Sequence, residues 1–153
     1  MTGSYTDFNG SILIDDVPLG NYNLSSLRAQ TGVLMNQQDI FQGTLLENIA
    51  LGNPAITIDV VKEYAARTGL HDFIAAQKDG YDTLLDPTGK RLPRNVVHRI
   101  LLVRALVSKP RLLLLEEPWM NMSREHRSQI LQLLNEIKNT TLVVVTNDQE
   151  FIQ

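Results

Sequence analysis

The stretch Pro110-Arg111-Leu112-Leu113-Leu114-Leu115-Glu116-Glu117-Pro118 decides how this chain folds. A proline precedes four leucines, and two adjacent carboxylates and a second proline follow them. Four residues are too few for a helix, so the leucines read as a strand buried on both faces. Continuous apolar strands of this kind belong to parallel sheets covered by helices. Upstream, Val96, Ile100, Val103 and Val107 line one face of a helix that Pro93 opens and Pro110 ends. Downstream, Ser123 can cap a helix in which Ile130, Leu133, Leu134 and Ile137 recur at helical spacing until Asn139. A second β-branched strand, LVVVT, occupies 142–146. Helix, buried strand, helix, buried strand predicts an α/β fold with a parallel sheet.

In such sheets ligands bind beyond the carboxyl ends of the strands. Glu116-Glu117 and Asn147-Asp148 fall at that edge, so the acid pair is predicted to face a crevice. By residue type alone the pair is a solvated strand end, and Asn147-Asp148 is a strand-ending turn. His71, His98 and His126 lack metal-ligand spacing and read as surface or satisfied core residues. Trp119 reads as loop packing.

The first half is less regular. GSILID (10–15) alternates as a strand and is broken by Asp15-Asp16, Pro18 and Gly20. Short helices are predicted over 24–28, from Thr44 to Gly52, over 60–68 after Thr57 and Asp59, and over 71–76. Between the first two lies an apolar run, Thr31 to Met35, followed by Asn36-Gln37-Gln38-Asp39.

Composition excludes several classes. The chain has 153 residues, enough for one domain, with 43% apolar and 20% charged residues, which is ordinary for a globular protein. A net charge of −3 gives no general basic footprint for nucleic acid. With no cysteine, disulfides, thiolate metal sites and cysteine nucleophiles are ruled out. No stretch approaches the roughly 18 apolar residues of a membrane span. MTGSYTDFNGS lacks the regions of a signal peptide.

Several segments, in order, carry a resemblance. GSILIDD (10–16) with LSSLRAQTGVL (24–34) looks like G-x-I-x-I-D-G followed by L-R-x-x-I-G-x-V. IFQGTLLENIALGNP (40–54) looks like L-F-x-G-T-x-x-E-N-I-x-x-G, and GLHDFIAAQKDGYDTLL (69–85) like a helical subdomain. RILLVRALVSKPRLLLLEEP (99–118) looks like a signature-motif helix running into a Walker B strand. Together they resemble the nucleotide-binding domain of ABC transporters of the exporter type. The resemblance covers essentially the whole chain. It implies a P-loop NTPase-like, RecA-like parallel sheet with an inserted helical subdomain at about 45–95, in a single partial domain (1–153) incomplete at both ends. It also implies ATP and Mg²⁺ as cofactors. Its partners would be a transmembrane domain and a second nucleotide-binding domain, at the cytoplasmic face of a membrane.

The departures fall on the chemistry. By the resemblance, the Walker A loop that cradles phosphates belongs upstream of residue 1. The Leu-Ser-Gly-Gly-Gln signature is Leu92-Pro93-Arg94-Asn95-Val96, without the glycines that let a backbone approach phosphate. Arg94 reads as a solvated arginine at a helix start. The Q-loop glutamine aligns with Asn36, beside Gln37; the D-loop aspartate aligns with Ser123, the switch histidine with Asn147, and an exporter glutamate with Pro87. Glu116 replaces the Walker B aspartate that helps hold Mg²⁺. The added methylene moves its carboxylate by roughly 1.5 Å. A misplacement of ~1 Å can cost around 10²-fold in rate. Glu117 alone keeps its family identity, that of the general base for the attacking water. Three functions follow: a degenerate, non-hydrolytic structural or regulatory partner half; a fragment of an active exporter ATPase whose Walker A lies upstream; or a truncated chain without independent function. In the last case LVVVT is predicted to be an exposed edge that promotes self-association.

Overall fold

The structure, a computed structural model, describes residues 9–86 and 92–149. Pro87, aligned above with the exporter glutamate, lies outside the described residues. The chain runs β1 (Leu13–Ile14), β2 (Val17–Pro18), α1 (Leu24–Ala29), β3 (Thr31–Leu34), β4 (Gly43–Thr44), α2 (Leu45–Ala50), α3 (Ile58–Arg67) and α4 (His71–Ala75). It continues through β5 (Leu84–Leu85), α5 (Arg94–Val107), β6 (Leu112–Glu116), α6 (Arg124–Glu136) and β7 (Thr141–Val145).

The four leucines form the central strand of a parallel sheet ordered β3-β6-β7. Leu34 pairs with Leu115, and Leu115 with Val144; one residue further, Glu116 pairs with Val145. Leu34, Leu113 and Leu115 point into the core, whereas Val33, Leu114 and Val143 share the opposite, half-buried face. Helix α5 lies on the core side and is buried on nearly every side, with Ile100, Leu102 and Val103 fully enclosed. Its fit against β3 depends on Gly32. A Cβ there would stand 2.1 Å from the Ala105 carbonyl oxygen, so only glycine lets strand and helix backbones meet.

The short helices form where their caps are. Thr44 and Glu47 close a reciprocal capping box on α2, with Glu47 N–H donating to Thr44 Oγ1 at 3.0 Å and Thr44 N–H to Glu47 Oε2 at 2.7 Å. Thr57 caps α3 and Ser123 caps α6. The buried Asn48 side chain ties the preceding loop to α2, accepting Phe41 N–H at 2.9 Å and donating to the Phe41 and Thr44 carbonyls at 3.0 Å. Arg104 of α5 donates to the Asn48 carbonyl of α2 at 2.6 Å and to the Asp39 carbonyl of the loop at 3.2 Å.

Several boundaries differ from the sequence reading: the strand read at 142–146 runs Thr141–Val145, α6 ends at Glu136 before Asn139, and three further differences involve a proline. The strand expected over 10–15 is only Leu13–Ile14, because its partner reaches Pro18, which has no N–H to extend the ladder. Asp15 and Asp16 form the tight turn with φ of 48° and 62°. Pro93 precedes α5 in an extended conformation (ψ 139°) instead of occupying its first turn. Helix α5 stops at Val107, short of Pro110, since the residue before a proline disfavours helix and Lys109 turns left-handed (φ 49°).

Candidate functional site

The carboxyl ends of β3, β6 and β7 lie side by side, and the acid pair spans all three. Glu116, the last residue of β6, reaches toward β3, where its Oε2 accepts the Asn36 N–H at 3.0 Å. Glu117 reaches the other way. Its Oε2 accepts the Thr146 hydroxyl at 2.9 Å and its Oε1 accepts the Asn147 N–H. The Thr146 oxygen in turn accepts Asp148 N–H at 3.0 Å, so the loop after β7 folds around the Glu117 carboxylate.

The Glu117 backbone is held as firmly as its side chain. Its φ of 46° is uncommon for a residue with a Cβ and needs support from its surroundings. The N–H donates to the Val145 carbonyl at 2.8 Å. The carbonyl accepts Met120 N–H at 2.9 Å and His98 Nε2–H at 2.9 Å. A carbonyl only accepts, so His98 carries its proton on Nε2. Burial pushes the His98 imidazole below its usual pKa, and the Glu117 and Pro118 carbonyls oppose that shift. A neutral ring clamped to the turn is the result.

Of the residues singled out in the sequence, Asn36 is hydrogen-bonded to Glu116 and Asn147 to Glu117. Gln37 is exposed and lines a cavity of about 490 Å³ with Asn36, Arg94 and His98, without bonding to either carboxylate. Ser123, at the D-loop position, is committed to capping α6 and lies 2.8 Å from His126 Nδ1. Sequence reasoning missed three parts of the arrangement. Thr146 and His98 supply hydrogen bonds that no spacing rule announces. Arg127 of α6 pairs with Asp148 at 2.8 Å and stands 5.7 Å above the Trp119 ring, joining the loops after β6 and β7. The one signal was Trp119 itself, a large residue in a short loop that needed something to pack against.

The family model for ABC transporters matches residues 1–120. The chain belongs to the ABC transporter family. The relatives it is similar to include the uncharacterized ABC transporter ATP-binding protein YknU of Bacillus subtilis, 34% identical over 149 residues, 96% of this chain and 25% of that protein. The alpha-hemolysin translocation ATP-binding protein HlyB of Escherichia coli O157:H7 is 32% identical over 144 residues, 94% of this chain and 20% of its own length. A solved bacterial Atm1-family ABC exporter with ATP bound superposes with a TM-score of 0.90 at 27% identity, covering 99% of this chain and 27% of that one. The chain therefore corresponds to the ATP-binding domain of exporter-type ABC transporters, with their P-loop NTPase fold, and spans about a quarter or less of those relatives. Among the described residues no helix is long and apolar enough to cross a membrane.

The Glu116 oxygen facing β3 accepts one hydrogen bond from Asn36, and each Glu117 oxygen accepts one from the loop after β7. At the start of α5, the Val96 N–H turns back onto the Pro93 carbonyl at 2.9 Å instead of pointing outward. No group of three or more metal-binding side chains occurs among the described residues.

Proposed function

We propose that the chain is a degenerate, non-hydrolytic ATP-binding-cassette half that acts as a structural or regulatory partner. One observation carries the reading. The Glu117 carboxylate, which a hydrolytic site aims at the attacking water, has each of its two oxygens hydrogen-bonded to the loop after β7, one to Thr146 and one to Asn147. One Glu116 oxygen likewise accepts from the Asn36 N–H. In this reading Asn36, Gln37, Glu116, Glu117 and Asn147 occupy a former nucleotide and magnesium site, and residues of about 45–95 form the helical subdomain. The partners are a second, competent nucleotide-binding domain and a transmembrane domain, with the chain at the cytoplasmic face of the membrane.

The test is steady-state ATPase measurement with Mg-ATP, alongside calorimetric ATP titration with and without Mg²⁺. The expected result is no magnesium-dependent turnover and no binding tighter than the millimolar range, about −4 kcal/mol. Turnover that disappears in the Glu117→Gln variant would overturn the proposal and favour an active ATPase.

A further inference from the structure

Strand β7 ends at Val145, and the loop that follows is held by the Glu117 carboxylate at one end and by Arg127 at the other. Glu117 accepts the Thr146 hydroxyl at 2.9 Å and the Asn147 N–H. The Arg127 guanidinium stands 2.8 Å from the Asp148 carboxylate.

Arg127 is itself well fixed. It lies near the start of α6, where its N–H donates to the Ser123 carbonyl at 3.0 Å. Its guanidinium also covers the Trp119 ring, 5.7 Å from the centroid, and Trp119 is buried in the core. A cation over an indole face gains most where water is excluded, and the Arg127 and Asp148 side chains are only 20% and 19% exposed. The ion pair therefore ties the loop to a helix and a ring that are both anchored in the core.

The charges show why this second anchor matters. Asp148 N–H donates at 3.0 Å to the same Thr146 oxygen that donates to Glu117, so one hydroxyl links the loop's own acid to the Glu117 carboxylate. Like charges brought together repel. Arg127 supplies the cation that lets both carboxylates share this corner.

We propose that Arg127 is a positioning residue for the Glu117 carboxylate. Its grip on Asp148 latches the loop after β7 against Glu117, and loss of that grip releases the carboxylate. The latch rests on the reading of a non-hydrolytic site and names what keeps that site closed. It acts through residues 146–148.

The test is residue-resolved amide hydrogen exchange on the full chain, read at Asn147 and Asp148 against the amides of β6. Arg127→Gln and Asp148→Asn each break the ion pair. The double exchange Arg127→Asp with Asp148→Arg rebuilds it in reverse with the same total reach. In Arg127→Gln the expected result is exchange about tenfold faster at Asn147 and Asp148, equivalent to about 1.4 kcal/mol, with β6 unchanged. Asp148→Asn should show a smaller rise, because a neutral residue 148 no longer repels Glu117. The reversed pair should return both amides close to their native rates, which a merely space-filling role for Arg127 would not produce. Native exchange at Asn147 in Arg127→Gln, a rise shared equally by β6, or a reversed pair as fast as the single variants would each overturn the latch. These readings involve no turnover, so their failure strikes the latch alone, whereas Mg-ATP turnover by the native chain strikes the non-hydrolytic reading.

Discussion

If the acid pair is a strut, removing it must cost stability. Replacing Glu117 by Gln is the sharpest perturbation. The native carboxylate accepts the Thr146 hydroxyl at 2.9 Å and the Asn147 N–H. Glutamine keeps one acceptor oxygen and turns an NH₂ group toward the other donor. Hydrogen bonds to a charged group contribute about 1.5–3 kcal/mol, and an orphaned donor costs up to about 3. Glu117 is half-buried and Asn147 is exposed, so water recovers part of that loss. The expected net destabilisation is about 2 kcal/mol, or roughly 4–8 °C in Tm for a chain of this size. Urea unfolding of the native chain, Glu117→Gln, Thr146→Val and the double variant gives the magnitude and, from the cycle, a coupling of about 1 kcal/mol. Carboxylates kept for catalysis behave differently, since active sites are commonly held at the expense of stability. A Glu117→Gln chain as stable as the native one, or more stable, with no coupling to Thr146, would refute the strut.

Two further perturbations probe the frame around it. Gly32→Ala sets a methyl group against the Ala105 carbonyl, which cannot yield without moving α5, and is expected to destabilise by about 3 kcal/mol; calorimetry showing less than about 0.5 kcal/mol would mean strand and helix do not approach so closely. Because burial lowers the His98 pKa from 6.5, the unfolded chain takes up that proton first as pH falls, so stability is whole above about pH 6.5 and declines below it, at no more than about 1.4 kcal/mol per pH unit. His98→Gln keeps a donor for the Glu117 carbonyl and should flatten that decline in urea melts between about pH 6.5 and 5.5; an unchanged slope would count against a buried neutral ring.

The α/β architecture was legible because it rests on periodicity. The leucine run, the β-branched LVVVT and the helices between them each satisfy one pattern, and they pack as that pattern requires. Ends of elements were less legible. Proline sterics set the end of α5 and the shortness of β1, yet a sequence shows only that a break is near, to within a few residues. Positions at the strand ends were legible as positions: Asn36, Glu116, Glu117 and Asn147 do converge. What each does there was not. Asn36 and Asn147 act through backbone N–H groups, which every residue but proline carries, so residue type held no clue. His98 bonds to a residue 19 positions away across a helix–strand packing, a contact that exists only once α5 is seated on the sheet.

The convergence itself has a physical logic. Where parallel strands end together, the loops that follow expose N–H groups, and those groups need acceptors from a ligand, from water or from the protein. Here the protein supplies them. Glu116 is one methylene longer than aspartate, and that length is what carries its oxygen to the Asn36 amide at 3.0 Å. An aspartate at the same Cα would stop short by roughly 1.5 Å and leave the amide to another acceptor. Glu117, with its backbone turned left-handed and clamped by His98, aims its carboxylate at the loop after β7. On the proposed reading the lengthened residue 116 binds the loop after β3 while Glu117 binds the backbone of the loop after β7, and the edge that elsewhere receives a nucleotide closes on itself.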